Sequence, residues 1–109
     1  MAKYHSAPFK EGEIFFYPTL GALSNFEDST GSSFATAFGG GQLPKLNLVY
    51  SMLYECHKVA CARKTITPVA LEDLKIWVEG KEVMKIFNAV LTDLLDELGI
   101  GEQSEEKKT

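Results

Sequence analysis

Two side chains in this sequence have the types and spacing of a nucleophile and its base. His57 and Cys61 stand four residues apart within Leu46–Arg63, Leu-Asn-Leu-Val-Tyr-Ser-Met-Leu-Tyr-Glu-Cys-His-Lys-Val-Ala-Cys-Ala-Arg. On a helix that separation puts both on one face, the arrangement by which an imidazole activates a thiol. A reactive thiolate also needs an exposed, electropositive setting. A covalent site further needs an orienting group and an oxyanion donor, and the sequence names neither. The surrounding stretch is apolar almost all round. The pair therefore reads as a packed cysteine beside a hydrogen-bonded histidine, with a small thiol enzyme as the alternative.

Other chemistry is weaker still. His5, His57, Cys56 and Cys61 lack the spacing of a zinc site. Asp93, Asp96 and Glu97 carry enough oxygen for a hard cation, but on the polar side of a helix they read as a solvated face. Gly39-Gly40-Gly41 stands before a helix as a phosphate loop would. A P-loop continues Gly-Lys-Ser/Thr, whereas this chain continues Gln42-Leu43-Pro44-Lys45, and Pro44 removes an amide that would face the anion. The glycines read as a hinge. Cys56 and Cys61 are too far apart on one helix for a disulfide, since five residues advance about 7.5 Å against a limit of roughly 7 Å between Cα atoms. Buried thiols suit a reducing cytoplasm. No catalytic residue, cofactor or metal is expected.

The elements that would position any site follow from pattern. The 109 residues are 45% hydrophobic and 24% charged with a net charge of −4, which fits one globular domain. The eleven basic residues are scattered, which argues against a nucleic-acid partner. Lys58, Arg63 and Lys64 read as cations complementing the end of a helix dipole. No apolar run is long enough to span a membrane, and the first ten residues lack a signal peptide's apolar centre.

The fold class expected is mainly α: a small helical bundle around a central buried helix, with an N-terminal β-hairpin. Residues 1–99 make one domain, the hairpin covers about 3–17, and 100–109 form a disordered charged tail. Lys3–Phe9 and Glu13–Tyr17 are the strands, with Pro8 marking an edge. Ile14 and Phe16 share one face, Phe15 and Tyr17 the other. One face meets the helices and the other awaits a cover, so the hairpin is a candidate mobile arm. Leu20–Thr30 is a helix capped by Thr19 and closed by Gly31, with Leu20, Leu23 and Phe26 or Glu27 inward. Phe34–Phe38 is a short turn capped by Ser32 or Ser33.

The central helix starts around Pro44 and ends near Lys64. Its two apolar faces leave Asn47, Ser51, Glu55 and Lys58 as the only polar strip. Thr67 caps, and Pro68 opens, a helix to Glu79 that turns Ala70, Leu71, Leu74, Trp77 and Val78 inward and stops at Gly80. Glu82–Leu98 has the clearest stripe: Val83, Ile86, Phe87, Val90, Leu91, Leu94, Leu95 and Leu98, with Gly99 as its cap.

Eight of the twelve aromatic residues fall within the first 38 positions. Most should pack on later helices, and any left exposed would mark a protein-binding surface. Phe15, Tyr17, Phe34 and Phe38, around the hairpin and the glycine hinge, are the candidate protein-binding residues.

The hairpin, the segment Phe16-Tyr17-Pro18-Thr19-Leu20-Gly21-Ala22-Leu23-Ser24-Asn25-Phe26-Glu27-Asp28-Ser29-Thr30-Gly31-Ser32, the helices that follow and the charged tail together resemble the tail assembly chaperones of long-tailed bacteriophages. Leu20, Leu23, Phe26-Glu27 and Thr30-Gly31 match that family's opening helix. Thr67–Leu74 is similar to its Ser/Thr-x-x-x-Leu-Glu-Asp-Leu segment. The likeness spans most of residues 13–98; Gly21 and the triple glycine depart from it. The resemblance implies a non-enzymatic protein in the cytoplasm of an infected or lysogenic bacterium. Its partners would be the tape-measure protein, which it coats, and tail-tube subunits, which it recruits; self-association is left open. The resemblance also implies a longer frameshifted form, for which the codons of Glu106-Lys107-Lys108 would be a slippery run. A helical adaptor or regulator of another bacterial or phage protein is the alternative.

Overall fold

A computed structural model describes residues 3–39, 44–78 and 80–99. Among them the order is β1 (His5–Phe9), β2 (Gly12–Phe16), α1 (Leu20–Thr30), α2 (Phe34–Phe38), α3 (Leu46–Lys64), α4 (Leu71–Trp77) and α5 (Lys81–Glu97). The protein is mainly α with an N-terminal hairpin, and α3 is its central post. The tail and most of the glycine hinge lie outside the described residues.

The strands pair antiparallel with His5 opposite Phe16, Ala7 opposite Ile14 and Phe9 opposite Gly12. That register puts Ala7, Ile14 and Phe16 on one face, and all three are buried. The second long edge of β2 is taken by α3, where Tyr17 N–H donates to Cys56 O at 2.9 Å. The Cys56 carbonyl sits inside a helix but has a second lone pair to offer. β1 lies against α5, with His5 Nε2 bonded to Asp93 Oδ2 at 2.9 Å and Lys3 N–H donating to the same oxygen at 3.3 Å. The hairpin is therefore fastened to two helices by hydrogen bonds as well as by packing.

α1 begins and ends where its caps dictate. Thr19 is extended, its Oγ1 accepts from Ala22 N–H at 3.0 Å, and Gly31 closes the helix at φ 74. Ala22, Leu23 and Phe26 face inward, whereas Leu20, expected inside, is 44% exposed. It sits in the first turn, beyond the end of the core. Ser33 caps α2 through Thr36 N–H, and the Glu27 carboxylate binds Phe34 N–H at 2.7 Å.

α3 buries Val49, Tyr50, Met52, Leu53, Glu55, Cys56, His57, Ala60 and Cys61. Glu55 was expected on the polar strip. It is buried instead, with Lys58 reaching over it at 3.2 Å. The helix starts at Leu46, with Lys45 as its N-cap, so Pro44 stands just outside; Leu46 itself is 59% exposed.

The fourth helix is shorter than expected. Residues 66–70 are not helical, Ala70 takes the extended N-cap conformation and only Leu71–Trp77 coils. Ile66 N–H bonds Cys61 O and Val69 N–H bonds His57 Nε2, which holds the segment extended across the end of α3. Thr67 and Pro68 therefore start nothing. Leu74 and Val78 are buried as expected, Leu71 is half-buried, and Ala70 and Trp77 are exposed. Gly80, expected to end this helix, is the N-cap of α5 at φ 66, a conformation that favours glycine. In α5, Val83, Ile86, Phe87, Val90 and Leu94 are buried, Leu91 and Leu95 are partly so, and Leu98 is exposed beyond the last turn.

Candidate functional site

The histidine–cysteine pair is brought together, and its hydrogen bonds decide what it can do. Cys61 Sγ lies 3.6 Å from His57 Nδ1 and 3.4 Å from Nε2. The imidazole is engaged elsewhere on both sides: Nδ1 meets Phe15 O at 2.9 Å, and Nε2 accepts from Val69 N–H at 3.0 Å. A carbonyl only accepts and an amide only donates, so the partners select the neutral tautomer with its proton on Nδ1. No lone pair is then free to take the thiol proton. Burial lowers the His57 pKa, partly offset by the bond to Phe15 O. Burial also raises the pKa of the Cys61 thiol. Cys56 is pushed far up by burial, with the Glu55 and Asp93 charges adding to it. His57 thus works as a three-way tie among β2, α3 and the segment before α4.

Asp93 is not part of a solvated face. It is 7% exposed and receives His5 and the Lys3 amide from the start of the chain. Among the described residues, no three His, Cys, Asp or Glu side chains gather as a metal site would require, and no helix is long and apolar enough to cross a membrane.

The four aromatic candidates divide between two places. Phe34 and Phe38 are half-buried beside α1 and α5, with Phe38 centred 5.4 Å from Phe26, 5.4 Å from Phe34 and 5.0 Å from Phe87. These two rings extend the core. Phe15 and Tyr17 lie on the outer face of the hairpin, also half-buried. Tyr4 joins them, its ring 4.6 Å from Tyr17. The last turn of α3 covers this group with cations. Arg63 Cζ lies 4.2 Å from the centre of Tyr17, and Lys64 Nζ lies 4.5 Å from that of Tyr4 and 4.4 Å from that of Phe15. Arg63 Nε also donates to Tyr4 Oη at 3.2 Å.

Tyr4, Arg63 and Lys64 are not among the protein-binding candidates that the sequence suggests. Strand pairing about the Lys10–Glu11 turn places Tyr4 opposite Tyr17, a signal that was there to read. Arg63 and Lys64 were assigned to the helix dipole alone, and nothing local tells that they reach the hairpin. This outer face joins aromatic and cationic side chains from the two ends of the hairpin and the end of α3. No family model, curated protein or solved structure matches the chain.

Proposed function

We propose that this protein acts through its exterior as a binding protein, and that it is a phage tail assembly chaperone. In that role it would bind the tape-measure protein and bring tail-tube subunits to it in the bacterial cytoplasm. The observation that carries the binding reading is the contrast between inside and outside. Every buried side-chain nitrogen and oxygen among the described residues has a hydrogen-bond partner, and the one nucleophile–base pair is tied up in holding the fold. Outside, Leu46, Ile66, Ile76 and Trp77 are about half exposed or more, at 59%, 50%, 61% and 48%. Ile76 and Trp77 are neighbours on α4, and contiguous apolar surface of that kind is where protein partners bind.

The narrower reading rests on the resemblance across residues 13–98, and on physical suitability. A small acidic domain with apolar surface groups can shield the hydrophobic helices of a long partner and later release them. Co-expression with a candidate tape-measure protein is the test. The expected result is that the tape-measure protein is soluble only with this chain and co-purifies with it. If it is equally insoluble in both cases, the chaperone reading fails and the adaptor reading takes its place.

A further inference from the structure

Arg63 and Lys64 are two adjacent cations on a chain whose net charge is −4. Carboxylates outnumber cations in the chain, and neither of these two has one within ion-pair distance among the described residues. They are held by rings instead: Arg63 over Tyr17, Lys64 over Tyr4 and Phe15. A ring face attracts a cation through its quadrupole and leaves the formal charge in place. The guanidinium is further held by the Nε–H bond to Tyr4 Oη, and among the described residues no hydrogen bond takes up Nη1 or Nη2.

From this arrangement we infer that the outer face of the hairpin is a docking site for an acidic segment of a protein partner, one carrying carboxylates beside apolar side chains. The inference rests on the reading that the chain is a protein-binding protein, and it names the chemistry of the partner. Charge complementarity selects the occupant. A guanidinium with two free nitrogens receives a carboxylate in a fork, and the neighbouring ammonium takes a second acid. The ring contacts and the Tyr4 hydrogen bond already favour these positions of the two cations, which reduces the side-chain entropy that binding loses. The Tyr4 ring, 40% exposed, and the half-buried Phe15 and Tyr17 supply the apolar floor. A polyphosphate is the poorer fit, because two cations neutralise few of its charges and it brings no apolar group for the aromatic floor.

The test is amide chemical-shift mapping on the isotope-labelled full chain, titrated with a synthetic helical peptide of Leu and Glu and with its Leu–Lys counterpart. The Leu–Glu peptide should move the amides of Tyr4, Phe15, Tyr17, Arg63 and Lys64, and the Leu–Lys peptide should not. Arg63→Gln combined with Lys64→Gln should weaken binding about tenfold or more while leaving the remaining spectrum intact. Arg63→Lys should recover only part of the affinity, since it restores charge without the fork. Equal binding of both peptides, shifts elsewhere on the surface, or indifference to the double variant would overturn the assignment. So would tighter binding of a single-stranded oligothymidylate, or self-association abolished by the same variant, which would give the face to nucleic acid or to a second copy. Failure of the tape-measure co-expression leaves this result standing, and the peptide titration can fail while co-expression succeeds.

Discussion

His57 is used on both ring nitrogens by main-chain groups of opposite polarity, and a second proton on the ring has nowhere to go. Protonating Nε2 would set two donors against each other, the new N–H and that of Val69. The groups facing the ring are Cys61, Tyr54, Phe16, the Phe15 carbonyl and the Val69 amide, and none is a carboxylate that would welcome the charge. The folded protein therefore binds this proton less readily than the unfolded chain, whose histidine titrates at about 6.5. Below that pH the unfolded state carries more protons, so stability falls with falling pH until the lowered folded-state pKa is passed. Urea titrations between neutral pH and mildly acid pH should show this loss. His57→Leu should remove most of this slope and cost about 2–4 kcal/mol at neutral pH, since it leaves the Phe15 carbonyl and Val69 amide unpaired. The cysteines give a companion prediction. Cys56 and Cys61 are both fully buried with raised pKa values, so a thiol reagent should label neither in the native protein and both in denaturant. Rapid native labelling of Cys61 would reopen the catalytic alternative.

Among the elements, α1 offers the simplest energetic test. Gly21 is exposed, and a Cβ built there would meet only Thr19 Oγ1, at 3.6 Å. It serves no close packing and only weakens the helix, so Gly21→Ala should stabilise the protein by about 0.5–1 kcal/mol. Thr19→Ala removes the cap and should cost about 1 kcal/mol. Thermal melting of the two variants should move in opposite directions. α1 was legible in the sequence because its Thr19 cap, its apolar period and its closing glycine are all local, and α5 because its apolar stripe runs over four turns to Gly99. The start of α4 was not. Thr67-Pro68 is a sound local signal, but His57 binds Val69 N–H from twelve residues away and decides the backbone path. Asp93 shows the same limit: its periodicity places it near the polar side, and only the pairing of β1 with α5 reveals its partner 88 residues earlier. At the candidate site, strand alternation put Phe15 and Tyr17 on one face correctly. The cations that cover them come from the far end of α3, which no local pattern reports.

Taken as a whole, the molecule builds the inner face of its N-terminal strands into the core that the helices share. Ile14 and Phe16 belong to the same core as Phe26, Leu53 and Leu94, and α3 meets the strand end through Tyr17 N–H on the Cys56 carbonyl and His57 on the Phe15 carbonyl. Withdrawing the hairpin would expose Phe16, whose loss alone should cost about 3–5 kcal/mol as Phe16→Ala. That is a large share of the roughly 5–15 kcal/mol that holds a domain together. It would also strand His57 without its Phe15 acceptor and Asp93 without His5. Hairpin and helices should therefore unfold as one unit. Trp77, the sole tryptophan, is placed to report on this, because its ring lies 6.0 Å from Phe9 near the hairpin turn. Its fluorescence follows the hairpin's departure, while far-ultraviolet circular dichroism follows the helices. In a urea titration the two signals should share one midpoint and one slope, as a two-state domain requires. A fluorescence change completed before the helical signal moves would mean that the strands leave first, and the hairpin would then be the mobile arm after all.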